Sequence, residues 1–272
     1  MSKKLRVKIL NLKFLKSKKA KAAITSAVLI IIAVLCAAAI FSSRPNTNKP
    51  VLFETGAEYV EGIDVSSHNG QVNWQSVANA VDFAIIRAGY RGYGTGAIVE
   101  DTELSRNLSE ANDAGIPLGV YFYSQAVTPQ EAREEAEFVL DLIKGYDVDL
   151  PVFIDYEYAH GSDGELTGRL YDAKLSAAAA ADIINAFCKE ITDSGRYAGV
   201  YSSSSMLTLH ISTSGLAENL YIWVADYNET VTYPGAYDIW QYTKSGSCDG
   251  VNSRGVDRNY WFINNGAGSF LP

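Results

Sequence analysis

The stretch Pro151-Val-Phe-Ile-Asp-Tyr-Glu157 decides how this chain is read. It is an apolar run of the length of one buried strand, and it ends in two carboxylates spaced i, i+2. Alternate side chains of an extended strand share a face, so Asp155 and Glu157 point the same way from the strand's end. Two carboxylates held close cannot both ionise freely. One keeps its proton near neutral pH and can give it to a leaving glycosidic oxygen. An isolated Asp-x-Glu more often closes a strand and faces water, so the rest of the chain must supply the context.

Outward from this strand, short apolar runs alternate with amphipathic helical ones. The runs at 62–65, 83–88, 118–123, 152–155, 198–201, 221–225 and 238–242 predict strands, and those at 104–114, 129–143 and 175–193 predict helices, the last through an Ala-rich segment. The strands are too apolar to face water on one side. Such alternation implies an α/β fold with a largely parallel sheet covered by helices, and seven or so strands suggest a closed barrel. Active sites of parallel barrels lie at the C-terminal ends of the strands. Asp64 closes the first strand, Asp155 and Glu157 the fourth, Asp226 follows Trp223-Val-Ala, and Gln241 follows Trp240. One such acid is a common structural cap; acids at three strand ends point to a shared cleft.

Sugars need flat apolar faces as well as acids. Tyr90, Tyr121, Tyr123, Tyr158, Trp223, Tyr227, Trp240 and Tyr242 all fall at or near predicted strand ends, where a ring can stack on a pyranose and its polar tip can bond a hydroxyl. About half of such rings serve core packing instead.

The chain resembles the glycoside hydrolase family 25 muramidases. The residues that carry the resemblance are Gly62-Ile-Asp-Val-Ser-Ser-His-Asn-Gly70, Phe83-Ala-Ile-Ile-Arg-Ala-Gly89, Ala114-Gly-Ile-Pro-Leu-Gly-Val-Tyr-Phe-Tyr123, Pro151 to Glu157, Tyr221-Ile-Trp-Val-Ala225, Asp238-Ile-Trp-Gln-Tyr242 and Gly255-Val-Asp-Arg-Asn259. The resemblance implies an irregular β/α barrel with fewer helices than strands, which cleaves the β-1,4 bond between N-acetylmuramic acid and N-acetylglucosamine of peptidoglycan strands. It implies that Glu157 is the general acid, that Asp155 stabilises developing positive charge directly or through the substrate's acetamido group, and that Asp64 and Asp257 are further acids of the cleft. It favours Tyr123 and Trp240 among the aromatics and implies no cofactor. His68 stands where an aromatic is also common, and the loop 163–172 is polar and Gly-rich. A chitinase-like or N-acetylglucosaminidase barrel would use the same Asp-x-Glu on a different bond. A non-catalytic wall-binding protein would not need all four acids.

The N-terminus reads differently. Residues 1–21 carry nine Lys or Arg and no acid, and residues 22–41 carry no charge around a Leu-Ile-Ile-Ile-Ala-Val-Leu heart. That predicts a transmembrane signal-anchor with a cytoplasmic basic flank and everything beyond it outside the cell. A cleaved signal peptide is the rival, since Ala37-Ala38-Ala39 offers small residues, but the apolar run exceeds the usual signal-peptide core of about 7–15 residues. The segment 42–57 reads as a linker and 58–272 as the catalytic barrel.

Charge splits at that linker. Eleven of the 23 basic residues and none of the 31 acids precede Pro50, leaving 12 basic against 31 acidic residues and a net charge of −19 beyond it. Nucleic acid is thereby excluded as a partner, because phosphate binding needs a basic surface. Cys188 and Cys248 can pair outside the cell, though nothing in the sequence brings them together. His68, His160 and His210 lack metal-ligand spacing, so no metal site is expected.

Overall fold

Strand β5, Val152–Tyr156, is buried at every position. A strand without a solvated face needs cover on both sides. Its neighbours supply it in a computed structural model of the protein, which describes Lys49, Leu52, Phe53, Thr55 and residues 57–263. Strands β1 (Tyr59–Val65), β2 (Phe83–Arg91), β4 (Leu118–Ser124), β5, β8 (Ala198–Ser203), β9 (Tyr221–Ala225) and β10 (Ile239–Gly246) pair in parallel with their neighbours. The remaining strand, β11 (Val256–Phe262), lies antiparallel between β10 and β1. Eight strands thus close a barrel. The short β3 (Ile98–Glu100) hairpins onto β2 outside it, and β6 (Ala159–His160) pairs with β7 (Leu166–Thr167) above β5.

Helices cover only part of the barrel. After the single-turn α1 (Trp74–Val77), three full helices intervene between strands: α2 (Leu104–Ala114), α3 (Pro129–Leu142) and, beyond the short α4 (Arg169–Asp172), α5 (Ala177–Asp193). A further short helix, α6 (Ser204–Leu209), follows β8. Their starts are written locally. Thr128 Oγ1 accepts from the Glu131 N–H with Pro129 in the first turn, and Ser176 caps α5 through the Ala179 N–H. Helix α3 buries Ala132, Glu135, Ala136 and Val139, the i, i+3, i+4, i+7 stripe of a helix lying on a sheet.

The strands' two faces make two cores. Outward residues such as Ile63, Ile86, Val120 and Ile154 pack under the helices, while Phe83, Ile85, Phe153, Tyr221, Trp223 and Trp261 fill the barrel interior. Glycines make room for those rings. A Cβ on Gly62 would lie 2.4 Å from the Phe83 ring, and one on Gly199 would lie 2.5 Å from both the Phe153 ring and the Tyr221 carbonyl oxygen. Bulk at the floor therefore depends on its absence from neighbouring strands.

Two expectations change here, and one open question closes. The sequence reading has no strand at 256–262, yet β11 closes the barrel; its polar block Asp257-Arg-Asn259 precedes the aromatics Tyr260-Trp-Phe262 and leaves neither a full-length apolar run nor a period of two. Within the segment read as a linker, Phe53 packs on Phe83 and Trp261 at 5.8 and 5.3 Å, and Lys49 Nζ pairs with Asp238 at 2.6 Å, so this stretch seals the barrel's floor. Cys188 and Cys248 are both free. The expected membrane span at 22–41 lies outside the described residues, among which no helix is long and apolar enough to cross a membrane.

Candidate active site

Opposite that floor, the strand ends open into a cleft of about 390 Å³. Asp155 and Glu157 reach it together from β5 and the residue beyond its end, as the i, i+2 spacing requires. Asp64 enters from β1 and Asp257 from β11, where the two face each other as register partners. Four carboxyl groups from three places distant in sequence therefore share one cleft.

Their hydrogen bonds fix Asp64 most firmly. Its Oδ2 accepts from Gln241 Nε2 and from Asn259 Nδ2, each at 2.9 Å. The amides are themselves held: the Tyr201 and Tyr227 hydroxyls donate to Gln241 Oε1 at 3.0 and 2.7 Å, and Trp223 Nε1 donates to Asn259 Oδ1 at 2.9 Å. Because an indole N–H can only give, the Asn259 amide must turn its N–H group to Asp64. Glu157 is fixed through its backbone instead, its carbonyl accepting from Nε2 of the buried Gln125 at 2.9 Å. Arg169 ties this loop down, donating to the Gln125 carbonyl at 3.2 Å and pairing with Glu131 at 2.6 Å.

Burial pushes all four carboxyls upward. Asp64 is raised well above the ordinary aspartate value, by desolvation first and by the Asp257 charge second; it keeps the proton between them and donates to Asp257, whose own pKa burial raises to about 6. Desolvation raises Glu157 to about 7, against the opposing charges of His160 and Lys244. Asp155 is also raised, by burial and then by Glu157, while Arg87 pulls it down. Asp155 and Glu157 titrate as a pair that shares a proton into neutral pH. Asp155 Oδ1 is buried with no hydrogen-bond partner among the described residues, an acceptor left over for a ligand.

Other expected site residues divide. Tyr121, Tyr123 and Trp223 line the cleft, and Gln241 acts by holding Asp64. Tyr90, Trp240 and Asp226 are not brought to it. The Tyr90 ring lies against the Arg87 guanidinium at 5.7 Å. Trp240 is on the outward face of β10, packed by Tyr242 and Tyr260, with its Nε1 bonded to the Asp226 carbonyl. The Asp226 carboxylate holds the following loop through Asn228 and Thr232, and those bonds draw its pKa below the usual value despite partial burial. For Trp240 the reason is the period of two: Gln241 faces the cleft, so its neighbour cannot.

Sequence reasoning passed over Arg87, Tyr201, Lys244 and Asn259 as members of this site. Arg87 had a signal, being the only charge in Phe83-Ala-Ile-Ile-Arg-Ala-Gly89. Its Nε donates to the buried Asp101 at 2.7 Å and its Nη2 to Ser67 Oγ at 3.0 Å, which anchors the guanidinium in the cleft wall.

A barrel with clustered, proton-retaining carboxyls at its strand ends and aromatic walls defines a glycosidase. The glycosyl hydrolases family 25 model matches residues 63–251, and the chain belongs to that family. It is 30% identical over 210 residues to lysozyme M1 of Streptomyces globisporus, an alignment covering 74% of this chain and 67% of that protein. Among solved structures, the bacterial lysozyme of Streptomyces coelicolor superposes with a TM-score of 0.60 at 29% identity, over 80% of this chain and 97% of that one. The modular autolysin LytC of Streptococcus pneumoniae, in complex with a synthetic peptidoglycan ligand, gives 0.63 at 28% identity over 76% of this chain. This chain spans about half the length of that autolysin, 48%.

Proposed function

We propose that this glycoside hydrolase is an N-acetylmuramidase that cuts the β-1,4 bond between N-acetylmuramic acid and N-acetylglucosamine in peptidoglycan. The observation that carries the reading is the placement of Asp155 and Glu157 side by side in the cleft, with Glu157 holding its proton to about pH 7. Glu157 gives that proton to the leaving glycosidic oxygen. Negative charge from Asp257, and from Asp155 once Glu157 holds the proton that the pair shares, then stabilises the oxocarbenium-like centre, or Asp155 holds the substrate's acetamido group as it assists. Tyr121 and Tyr123 supply apolar faces to the sugar rings, with Trp223 packed beneath Tyr121. Similarity to a lysozyme and to an autolysin solved with a peptidoglycan ligand supports the choice of substrate.

Digestion of purified peptidoglycan, borohydride reduction and sugar analysis tests the bond. Muramitol as the new reduced end is the expected product; glucosaminitol as the main product would make the enzyme an N-acetylglucosaminidase instead.

The reading extends to place. The charge-free run 22–41 behind nine basic residues supports a single span with the barrel outside the cell, held near the wall it cuts. Protease added to intact protoplasts should remove the barrel while full-length protein fractionates with membranes. Recovery of a soluble form starting near Ser42 would establish cleavage instead.

A further inference from the structure

Strand β10 breaks its own alternation at the cleft rim. Gln241 pairs with Asn259 on β11, but the next pair is Thr243 with Arg258, so β10 spends two residues where β11 spends one. The extra residue is Tyr242, which stacks on Tyr260 of the outer face at 4.3 Å. In an unbroken strand Lys244 would share the outward face of Trp240 and Tyr242. The bulge turns it inward, and Lys244 lines the cleft with Gln241.

The ammonium so placed has no carboxylate within 4.0 Å among the described residues, although four acids share its cleft. It sits 5.5 Å from the centroid of the Tyr227 ring, and that ring is pinned by its hydroxyl's bond to Gln241. Arg87, the other permanent cation of the cleft, is committed to Asp101 and Ser67. Lys244 is near enough for its charge to act on both Glu157 and Asp257. A solvated surface lysine needs no bulge to aim it, and a cleft that is otherwise acidic repels any substrate bearing a carboxylate of its own.

We infer that Lys244 is a specificity-determining residue, whose ammonium pairs with a carboxylate carried by the glycan strand close to the scissile bond. This rests on the muramidase reading, because muramic acid carries a lactyl group whose carboxylate is free in denuded strands and which otherwise bears a stem peptide with carboxylates of its own. Both sources present the same chemistry. The cleft's four acids supply reaction chemistry to any β-linked glycan; Lys244 selects the anionic ones.

The test compares kcat/KM on denuded muramyl glycan with kcat/KM on the same glycan after its lactyl carboxylates are converted to methylamides. A second pair uses peptide-bearing strands before and after the same treatment. The ratio within each pair cancels whatever Lys244 does to Glu157's proton. In the wild type the anionic member is preferred, and K244M lowers that preference by about fivefold, the factor one partly exposed ion pair supplies, while K244R retains it. Loss in the denuded pair assigns the lactyl carboxylate, and loss confined to the peptide-bearing pair assigns the stem peptide. Ratios unchanged by K244M in both pairs, with an unaltered thermal melt, overturn the inference. If the wild type yields muramitol and the ratios do not move, only the role of Lys244 falls; if it yields no muramitol, the muramidase reading falls first.

Discussion

At the scale of single residues, the cleft works because burial is spent on keeping protons. Glu157 must be protonated to act as a general acid, so with a pKa of about 7 activity should fall as pH rises through about 7. Glu157→Gln keeps the shape and cannot donate; turnover should drop by roughly three orders of magnitude or more with the thermal melt unchanged. Near-normal turnover in that variant would remove Glu157 from its role. The same burial costs stability, and the sign is definite for Asp257. Its folded pKa of about 6 exceeds the ordinary 3.8, so between those values the folded state binds more protons than the unfolded one and stability declines as pH rises across the window. Asp257→Asn removes that decline. The variant should be more stable than wild type by about 1 kcal/mol at pH 7, a figure reduced for solvent access, and equal to it at pH 3, below both values. Denaturant titrations at the two pH values check this, and a gain of equal size at both would mean that the charge is not the cause.

At the scale of elements, what the sequence revealed depends on whether a residue's role is written in its own neighbourhood. The strands at 83–88, 118–123 and 152–155 are apolar except for Arg87 and Asp155, which reach the cleft, because both faces of a parallel strand are covered, and the caps Thr128 and Ser176 announce their helices. Strand β11 had no such signature. It borders a face of the barrel without a covering helix, so polar Asp257, Arg258 and Asn259 occupy the strand next to aromatics, and its partners lie about 200 residues away on β1. Asp257 was legible through the family resemblance; that Asn259 and Gln241 jointly hold Asp64 is a contact between three strands and was not. The bulge that turns Lys244 inward is likewise invisible in a one-dimensional alternation. Gly199 shows how much of an element's meaning belongs to its partner. Gly199→Ala puts a Cβ against Phe153 and the Tyr221 carbonyl, an overpacking that should cost about 1–3 kcal/mol. Tm should fall by roughly 3–10 °C, with the pH profile of kcat unchanged, since the cleft is at the other end of the barrel. A Tm equal to wild type would show slack in the floor.

At the scale of the whole molecule, the two ends of the barrel have separate tasks. The upper end is open, acidic and held by hydrogen bonds; the lower end is sealed by aromatic rings, and the chain enters there through Lys49, Leu52 and Phe53. The seal means that the catalytic unit does not begin at residue 58. The Phe53 ring meets Phe83 at 5.8 Å and Trp261 at 5.3 Å, so a chain starting at residue 58 exposes both and loses the Lys49 pair with Asp238. Removing one such half-buried ring costs about 2 kcal/mol, less than a fully buried Phe. A chain spanning residues 45–272 should therefore melt higher than one spanning 58–272, by roughly 4–8 °C, and Phe53→Ala in the longer chain should recover most of that difference. Both chains should keep the same KM for soluble glycan, because no residue of the cleft is touched. Identical melting temperatures would reduce residues 49–53 to a passive lead-in, and a changed KM would mean that floor and cleft are coupled through the barrel's interior.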